Sequence, residues 1–154
     1  MLDPREVRAG NWVLRITGTD TNTKSFFEYK AVALDEYYFT FAKACFPIMI
    51  SSLILENSGF TYNAGDWYIN MDPKKDNNDA PFLTFRQSDK SWYLQKMKLW
   101  FQPVYVHQLQ NLFYALVNKE INIDLGRFEN ISMIGPIDFF VKPLRKTSII
   151  RELL

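Results

Sequence analysis

The sequence is poor in the two residues on which most covalent and metal chemistry depends. It has one cysteine, Cys45, and one histidine, His107. A single cysteine excludes an internal disulfide and is typical of a reducing compartment. A single imidazole, without a second histidine and without a nearby cysteine or carboxylate, is too small a ligand set for zinc. The sequence therefore predicts a protein without a metal centre.

Glycine is scarce as well, with six residues in 154, and the glycine-based catalytic signatures are missing. The chain contains no phosphate-binding P-loop, no GxGxxG motif and no GxSxG motif. The acidic loop 72–81 lacks the central glycine and the distant glutamate of an EF-hand. Cys45 lies in the apolar stretch FAKACFPIM, which is typical of a buried thiol and argues against a Cys45–His107 nucleophile–base pair. We expect no enzyme activity and no cofactor.

Neither sign of charge dominates the chain, because it has 18 lysines and arginines and 17 aspartates and glutamates, which gives a net charge of +1. This balance argues against strong binding to nucleic acid, which usually requires a basic surface. Long apolar runs are also missing. The longest, CFPIMI followed by SSLIL, is interrupted by Pro47 and two serines and is too short to cross a bilayer. The first ten residues carry no apolar signal segment. We expect a cytoplasmic protein that does not enter a membrane.

Aromatic residues, in contrast, are abundant at 16%, and hydrophobic residues make up 47% of the chain. This content is sufficient for a hydrophobic core without disulfides. The length of 154 residues suits one domain over 1–154, with 126–154 as an irregular C-terminal extension.

Alternating apolar and polar residues predict a mostly antiparallel sheet of about six to eight short strands in an α+β fold. Helices do not alternate with single strands, so a parallel doubly wound sheet is not expected. The predicted strands lie in WVLRI and FFEYKAVAL, YYFTFA, FTYN and DWYINM, FLTFRQ, SWYLQKMKLWFQ, and INIDL.

Two helices are predicted between these strands. Ser51 or Ser52 can cap a short helix near 51–58, and Gly59 follows where a left-handed C-terminal residue belongs. A longer helix is predicted near 104–118, after Pro103. Its apolar stripe has the spacing i, i+3, i+4, i+7 and consists of Leu109, Leu112, Phe113 and Leu116.

The longer helix also carries a polar face formed by His107, Gln110, Asn111 and Tyr114. One interpretation is a recognition surface, since amides donate and accept hydrogen bonds and the imidazole responds to pH. A second is the solvated side of an ordinary amphipathic helix. A third is a set of buried hydrogen bonds that tie the helix to strand edges.

A second candidate surface lies on the stretch 91–101, read as one strand. Its alternation places Trp92, Lys96, Lys98 and Trp100 on one face, where Arg86 of the neighbouring strand can join them. Rings for bases and ammonium groups for phosphates would form a platform for single-stranded nucleic acid. The alternative is a sheet face covered by a helix at the tryptophans and solvated at the lysines.

Three segments, RAGNWV, PIMISSLILENSGF and YVHQLQNLFYALVNKEI, occur in this order. They resemble those of an uncharacterised family of small phage- and mobile-element-associated proteins of gut anaerobic bacteria, whose late helix reads nearly YVHQLQNLYFAL. The chain departs from that pattern at Val117–Asn118–Lys119.

The resemblance implies an accessory role and supplies no activity. Because no catalytic set is complete and the late helix carries a polar pattern, we expect a non-enzymatic module that binds a protein through the 105–116 helix or the C-terminal tail. Weak binding of single-stranded nucleic acid is the alternative.

Overall fold

Two antiparallel sheets and two α-helices form the part of the chain that the computed structural model describes, namely residues 4–19, 27–35, 45–72, 74, 81–126 and 133–135. The α+β class and the mostly antiparallel sheet are confirmed. The first sheet has the order β3-β1-β2-β9 and the second the order β4-β5-β6-β7-β8. The strands are β1 (Trp12–Thr19), β2 (Phe27–Ala33), β3 (Cys45–Pro47), β4 (Thr61–Asn63), β5 (Asp66–Asn70), β6 (Phe82–Arg86), β7 (Ser91–Leu94), β8 (Met97–Lys98) and β9 (Met133–Gly135).

The first hairpin is covered on both faces near its start. β1 pairs with β2 from Trp12↔Ala33 onward and with β3 on its other edge. Because side chains alternate along a strand, Leu14 and Val13 point to opposite faces. Leu14 joins the main core, whereas Val13 packs with a smaller cluster that includes Cys45. This double burial fixes the register of β1.

The short helix α1 (Ser52–Asn57) confirms the prediction near 51–58. Ser51 is its N-cap, and the Ser51 hydroxyl accepts a hydrogen bond from the Ile54 amide at 3.3 Å. Gly59 has φ +87°. The amide of Phe60 donates to the Leu55 carbonyl and that of Gly59 donates to the Glu56 carbonyl. This is the Schellman arrangement that ends helices at a glycine.

The second sheet carries a row of aromatic rings across four strands. Tyr62 lies opposite Trp67, Trp67 opposite Phe85, and Phe85 opposite Trp92. The ring centroids of Tyr62 and Trp67 are 5.0 Å apart and those of Phe85 and Trp92 are 5.1 Å apart. Cross-strand aromatic contacts of this kind stabilise sheets. We call these four residues the aromatic row.

The prediction of one strand over 91–101 is wrong. The chain reverses at Gln95 and Lys96, so that β7 and β8 form a tight hairpin with Leu94 opposite Met97. Gln95 adopts a left-handed φ of 56° at the turn. The alternation of large and polar residues continues through this turn, so the sequence pattern does not mark the reversal.

The longer helix α2 (Val106–Val117) lies within the predicted range. Its start is joined to the segment after β3, because Val106 donates to the Ile48 carbonyl at 2.8 Å and Ile50 donates to the Val104 carbonyl at 3.0 Å. Asn118 ends the helix in a left-handed conformation. Among the described residues, no helix has both the length and the apolar character needed to cross a membrane.

Other predictions concern the end of the chain and residues outside the described ranges. Residues 121–125, predicted as a strand, pair with no described strand. The extension 126–154 is not irregular throughout, because Met133–Gly135 form β9 against β2. The predicted strand YYFTFA, most of the loop 72–81 and the amphipathic end 144–154 lie outside the described residues.

The β4–β5 turn gives the first prediction. Ala64 has φ 50° and Gly65 has φ 95°, the type I′ geometry in which asparagine precedes glycine most favourably. We expect Ala64→Asn to raise the free energy of unfolding by about 0.5–1 kcal/mol, as measured by urea denaturation. The matched control is Ala115→Asn on the exposed side of α2, which we expect to lower it by about 0.5 kcal/mol. A loss of stability in Ala64→Asn would contradict the assigned turn.

Candidate functional site

The side chain of Gln110 joins α2 to the start of β1. Its Oε1 accepts a hydrogen bond from the Trp12 amide at 2.9 Å, and its Nε2 donates to the Gly10 carbonyl at 3.0 Å. A carboxamide that bonds two residues of one chain in this way replaces a neighbouring strand's peptide group. Gln110 is only 3% exposed, and both bonds are partly shielded from water.

Asn111 extends the same contact to the segment before β1. Its Nδ2 donates to the Glu6 carbonyl at 2.8 Å, and its Oδ1 accepts from Nε of Arg8 at 2.9 Å. The Arg8 amide in turn donates to Oδ1 of the buried Asn11 at 2.8 Å. Residues 6–12 are therefore fastened to α2 by main-chain and side-chain hydrogen bonds.

Arg8 is the charged centre of this contact. Its guanidinium forms a two-pronged ion pair with Glu120, with NH2 donating to Oε2 at 2.8 Å and NH1 to Oε1. It also lies 4.3 Å from the centre of the Tyr114 ring. Hydrogen bonding from Arg8 lowers the pKa of Glu120. Arg8 and Glu120 were not predicted as site residues, and their separation of 112 positions leaves no local pattern to reveal the pair.

His107 is fully buried on the core side of α2, and its ring stacks on Tyr105 with centroids 5.8 Å apart. Neither ring nitrogen has a hydrogen-bond partner among the described residues. Burial lowers the pKa of His107 to about 4, because the low-polarity surroundings disfavour the charged imidazolium. The imidazole is therefore neutral near pH 7.

The predicted polar face of α2 is divided by the fold. His107 and Gln110 are buried, Asn111 is half-buried and Tyr114 is exposed. The solvated-face interpretation is wrong for His107 and Gln110. The interpretation of hydrogen bonds to a strand edge holds for Gln110, which bonds the start of β1, whereas Asn111 bonds the segment before it. The predicted apolar stripe is divided too, since Leu109 and Phe113 are buried while Leu116 is exposed.

An open cleft of about 430 Å³ borders the network. Gly10, Trp12 and Gln110 line it together with residues 120–124. Residues 120–124 follow α2 and run back past the C-terminal end of α1. There the Asp124 amide donates to the Ser58 hydroxyl at 3.1 Å. The structure thus brings the start of β1 and the segment after α2 together at one cleft.

The predicted tryptophan–lysine surface does not exist as one face. Trp92 is 1% exposed, and its indole donates to the Pro103 carbonyl at 2.8 Å. Trp100 is 93% exposed on the loop after β8. Lys96 lies in the β7–β8 turn and Lys98 pairs with Asp89 at 3.3 Å. A buried ring, a turn residue and a paired lysine cannot form a continuous stacking platform.

The structure gives no support to chemistry at Cys45. The thiol is buried, and this burial raises its pKa. Cys45 packs with Val13 in the smaller cluster, whereas α2 packs with Leu14, which points to the other face of β1. Among the described residues, no group of histidine, cysteine, aspartate or glutamate side chains is arranged to hold a metal ion.

Comparisons with family models, with curated proteins and with solved structures found no match to this chain.

The Gln110 contact gives the second prediction. Gln110→Met keeps the side-chain length but leaves the Trp12 amide and the Gly10 carbonyl without partners. We expect the free energy of unfolding to fall by about 1–3 kcal/mol, since each lost hydrogen bond costs about 0.5–1.5 kcal/mol. Urea denaturation measures this, with Gln87→Met in the exposed β6–β7 turn as a control that should change it by less than about 0.5 kcal/mol. Equal stability of the two variants would show that the bonds are not needed.

The third prediction concerns pH. The pKa of His107 is lowered to about 4 in the folded chain, while the ordinary value is 6.5. As pH falls below 6.5, the unfolded chain binds a proton that the folded chain does not, so stability declines between pH 6.5 and 4 by roughly 2–3 kcal/mol.

His107 is the only histidine, so one imidazole NMR signal reports its titration directly. We expect a midpoint near pH 4, together with a smaller pH dependence of unfolding in His107→Phe. A midpoint at pH 6 or above would contradict the buried, neutral ring.

Proposed function

We propose that this chain is a non-enzymatic protein-binding module that holds an extended segment of its partner in the cleft beside Gln110. The observation that carries this proposal is the main chain of Ile121 and Ile123 at the edge of that cleft, which has no hydrogen-bond partner in the described part of the chain. Protein binding is compatible with the accessory role that the family resemblance implies. The phage or mobile-element setting remains part of the proposal.

Residues 121–125 have the character of a strand. Their side chains alternate, with Ile121, Ile123 and Leu125 buried and the two residues between them exposed. This alternation is that of an extended chain lying on a core. The main-chain amides and carbonyls of Ile121 and Ile123 have no hydrogen-bond partner among the described residues. Unpaired strand edges of this kind are the usual sites for adding a further strand.

The direction of the free edge follows from the hydrogen bond to Ser58. Successive amides of an extended chain point to opposite edges. Since the Asp124 amide points to the Ser58 hydroxyl, the amides of Ile121 and Ile123 point the other way. The side chains of these two isoleucines are buried, so their main chain is what borders the cleft. A partner peptide can therefore pair with both residues.

The other lining groups favour a peptide that pairs with 121–123 rather than with β1. The Gly10 carbonyl and the Trp12 amide are already occupied by the Gln110 carboxamide. The Glu120 carboxylate is occupied by Arg8. Besides the exposed side chains of Asn122 and Asp124, the cleft presents main-chain groups of Ile121 and Ile123 that have no partner among the described residues, and main-chain groups are best matched by another main chain.

These internal contacts reduce the part of the predicted binding surface that a partner can reach. Gln110 and Asn111 are engaged within the protein, which leaves Tyr114 and Leu116 as the exposed ring and apolar residue of the 105–116 helix. The C-terminal tail lies outside the described residues. A protein segment is preferred over single-stranded nucleic acid as the partner, because Trp92 lies in the core and Trp100 is a single exposed ring.

The fourth prediction tests this proposal with eight-residue peptides selected from a random library on the intact chain. We expect the bound peptide to slow hydrogen exchange at the amides of Ile121 and Ile123, measured by NMR, because these amides become hydrogen-bonded. Asn122→Trp, which places a ring in the cleft without changing a buried residue, should weaken peptide binding at least about tenfold, a change of about 1.4 kcal/mol.

The matched control is Lys119→Trp, which adds the same ring at an exposed neighbouring position that does not line the cleft. We expect it to bind the peptides within about twofold of the unchanged chain. Selected peptides that bind Asn122→Trp equally well, or that leave both isoleucine amides unprotected, would overturn the proposal.

A further inference from the structure

A second recess lies against the aromatic row, on the core side of the second sheet. It measures about 450 Å³ and is bordered by rings of Trp67, Phe85 and Trp92. The segment 49–52 and residues Pro103 and Val104 complete its walls. This recess shares no lining residue with the cleft beside Gln110.

The walls of the recess are apolar and held in place. Trp92 is fixed by the bond from its indole to the Pro103 carbonyl and by a second bond from its amide to Oε1 of Gln102. The opposite segment is fixed by the bond between Ile50 and the Val104 carbonyl at 3.0 Å. Phe85, which is half-buried, forms the aromatic wall that a ligand can reach, and the almost fully buried Trp67 and Trp92 lie beside it on adjacent strands.

One charged residue, Lys90, lines this apolar recess. Its neighbour Asp89 is engaged elsewhere, because Oδ2 of Asp89 accepts from the Tyr93 hydroxyl at 2.7 Å and from Lys98 at 3.3 Å. No ion pair of Lys90 occurs among the described residues. Lys90 also adopts a left-handed φ of 53°, a conformation that side chains other than glycine, asparagine and aspartate rarely adopt.

Polar groups at the recess are few besides Lys90. The Ser51 hydroxyl already accepts the Ile54 amide as the cap of α1. The side chain of Ser52 is exposed at the start of the same helix. A ligand in this recess therefore meets aromatic and aliphatic carbon on most sides and a single positive charge.

We propose that the recess is a binding site for a small aromatic anion, a planar apolar molecule with one acidic group. The volume lies within the range of about 300–1,000 Å³ that is usual for small-molecule sites, which combine apolar walls with a few placed polar groups. The ring system of the ligand packs against Phe85 and the aliphatic residues that line the recess, and its acid pairs with Lys90. This site does not depend on peptide binding at the cleft.

The fifth prediction uses two probes that differ by one charge, anilinonaphthalene sulfonate and its neutral parent phenylnaphthylamine. Excitation of the tryptophans should produce energy transfer to a probe bound beside Trp67 and Trp92. We expect saturable binding of one sulfonate probe per chain, about tenfold tighter than that of the neutral parent, because of the single charge at the recess.

Lys90→Asn removes the charge and accepts the left-handed backbone, so the variant should remain folded. We expect it to weaken the sulfonate about tenfold and to leave the neutral probe unchanged. The matched control, Lys96→Asn, removes the same charge from the neighbouring turn, outside the recess, and should bind both probes as the unchanged chain does.

Each other outcome would overturn the proposal. Absence of binding by the sulfonate would show that the recess does not admit an aromatic anion. Equal affinity for both probes, or equal loss in Lys90→Asn and Lys96→Asn, would show that Lys90 does not select a charged ligand. Several probes bound per chain would indicate adsorption to loosened structure rather than one site.

Discussion

The two hydrogen bonds between the Gln110 carboxamide and the main chain at Gly10 and Trp12 determine how α2 lies on the first sheet. They act like one rung of a β-ladder, with a side chain in place of the neighbouring strand. Both are part-buried, and moving the helix would break both hydrogen bonds at once. At the other end of α2, the bonds between Ile48, Ile50, Val104 and Val106 hold its first turn. The helix is therefore positioned by hydrogen bonds to main-chain groups at two points as well as by its apolar residues.

The two recesses lie at the two ends of α2. After α2, the segment 120–124 passes the start of β1 and the C-terminal end of α1, and the cleft lies between this segment and β1. Before α2, Pro103 and Val104 lead from the second sheet into the helix and border the other recess together with the start of α1. The first recess presents main-chain groups and the second presents mainly apolar side chains, which suit different classes of ligand.

His107 is a buried polar residue whose ring nitrogens have no hydrogen-bond partner in the described part of the chain. Buried polar groups are usually satisfied, and Gln110 and Asn111 follow this rule through partners far away in sequence. His107 instead lies fully buried beside Tyr105 without a partner among the described residues, and its neutral state is what permits this. The fold therefore incorporates a group that becomes unfavourable in acid, at the helix turn next to the carboxamide that anchors α2.

Local patterns in the sequence determined the elements whose signals are short-range. Ser51 and Gly59 marked α1 because caps act within a few residues, and the spacing of Leu109 and Phe113 marked α2. The α+β class followed from these elements. Tertiary structure alone decided which polar residues of α2 are buried, since Gln110 and Asn111 look solvated until Gly10 and Glu6 lie beside them. It alone decided the pairing of Arg8 with Glu120 and the reversal at Gln95 that places Trp92 in the core and Trp100 outside. The reason is physical: caps, turns and amphipathic stripes depend on neighbours in sequence, whereas the satisfaction of a buried polar group and the position of a recess depend on segments brought together from distant parts of the chain.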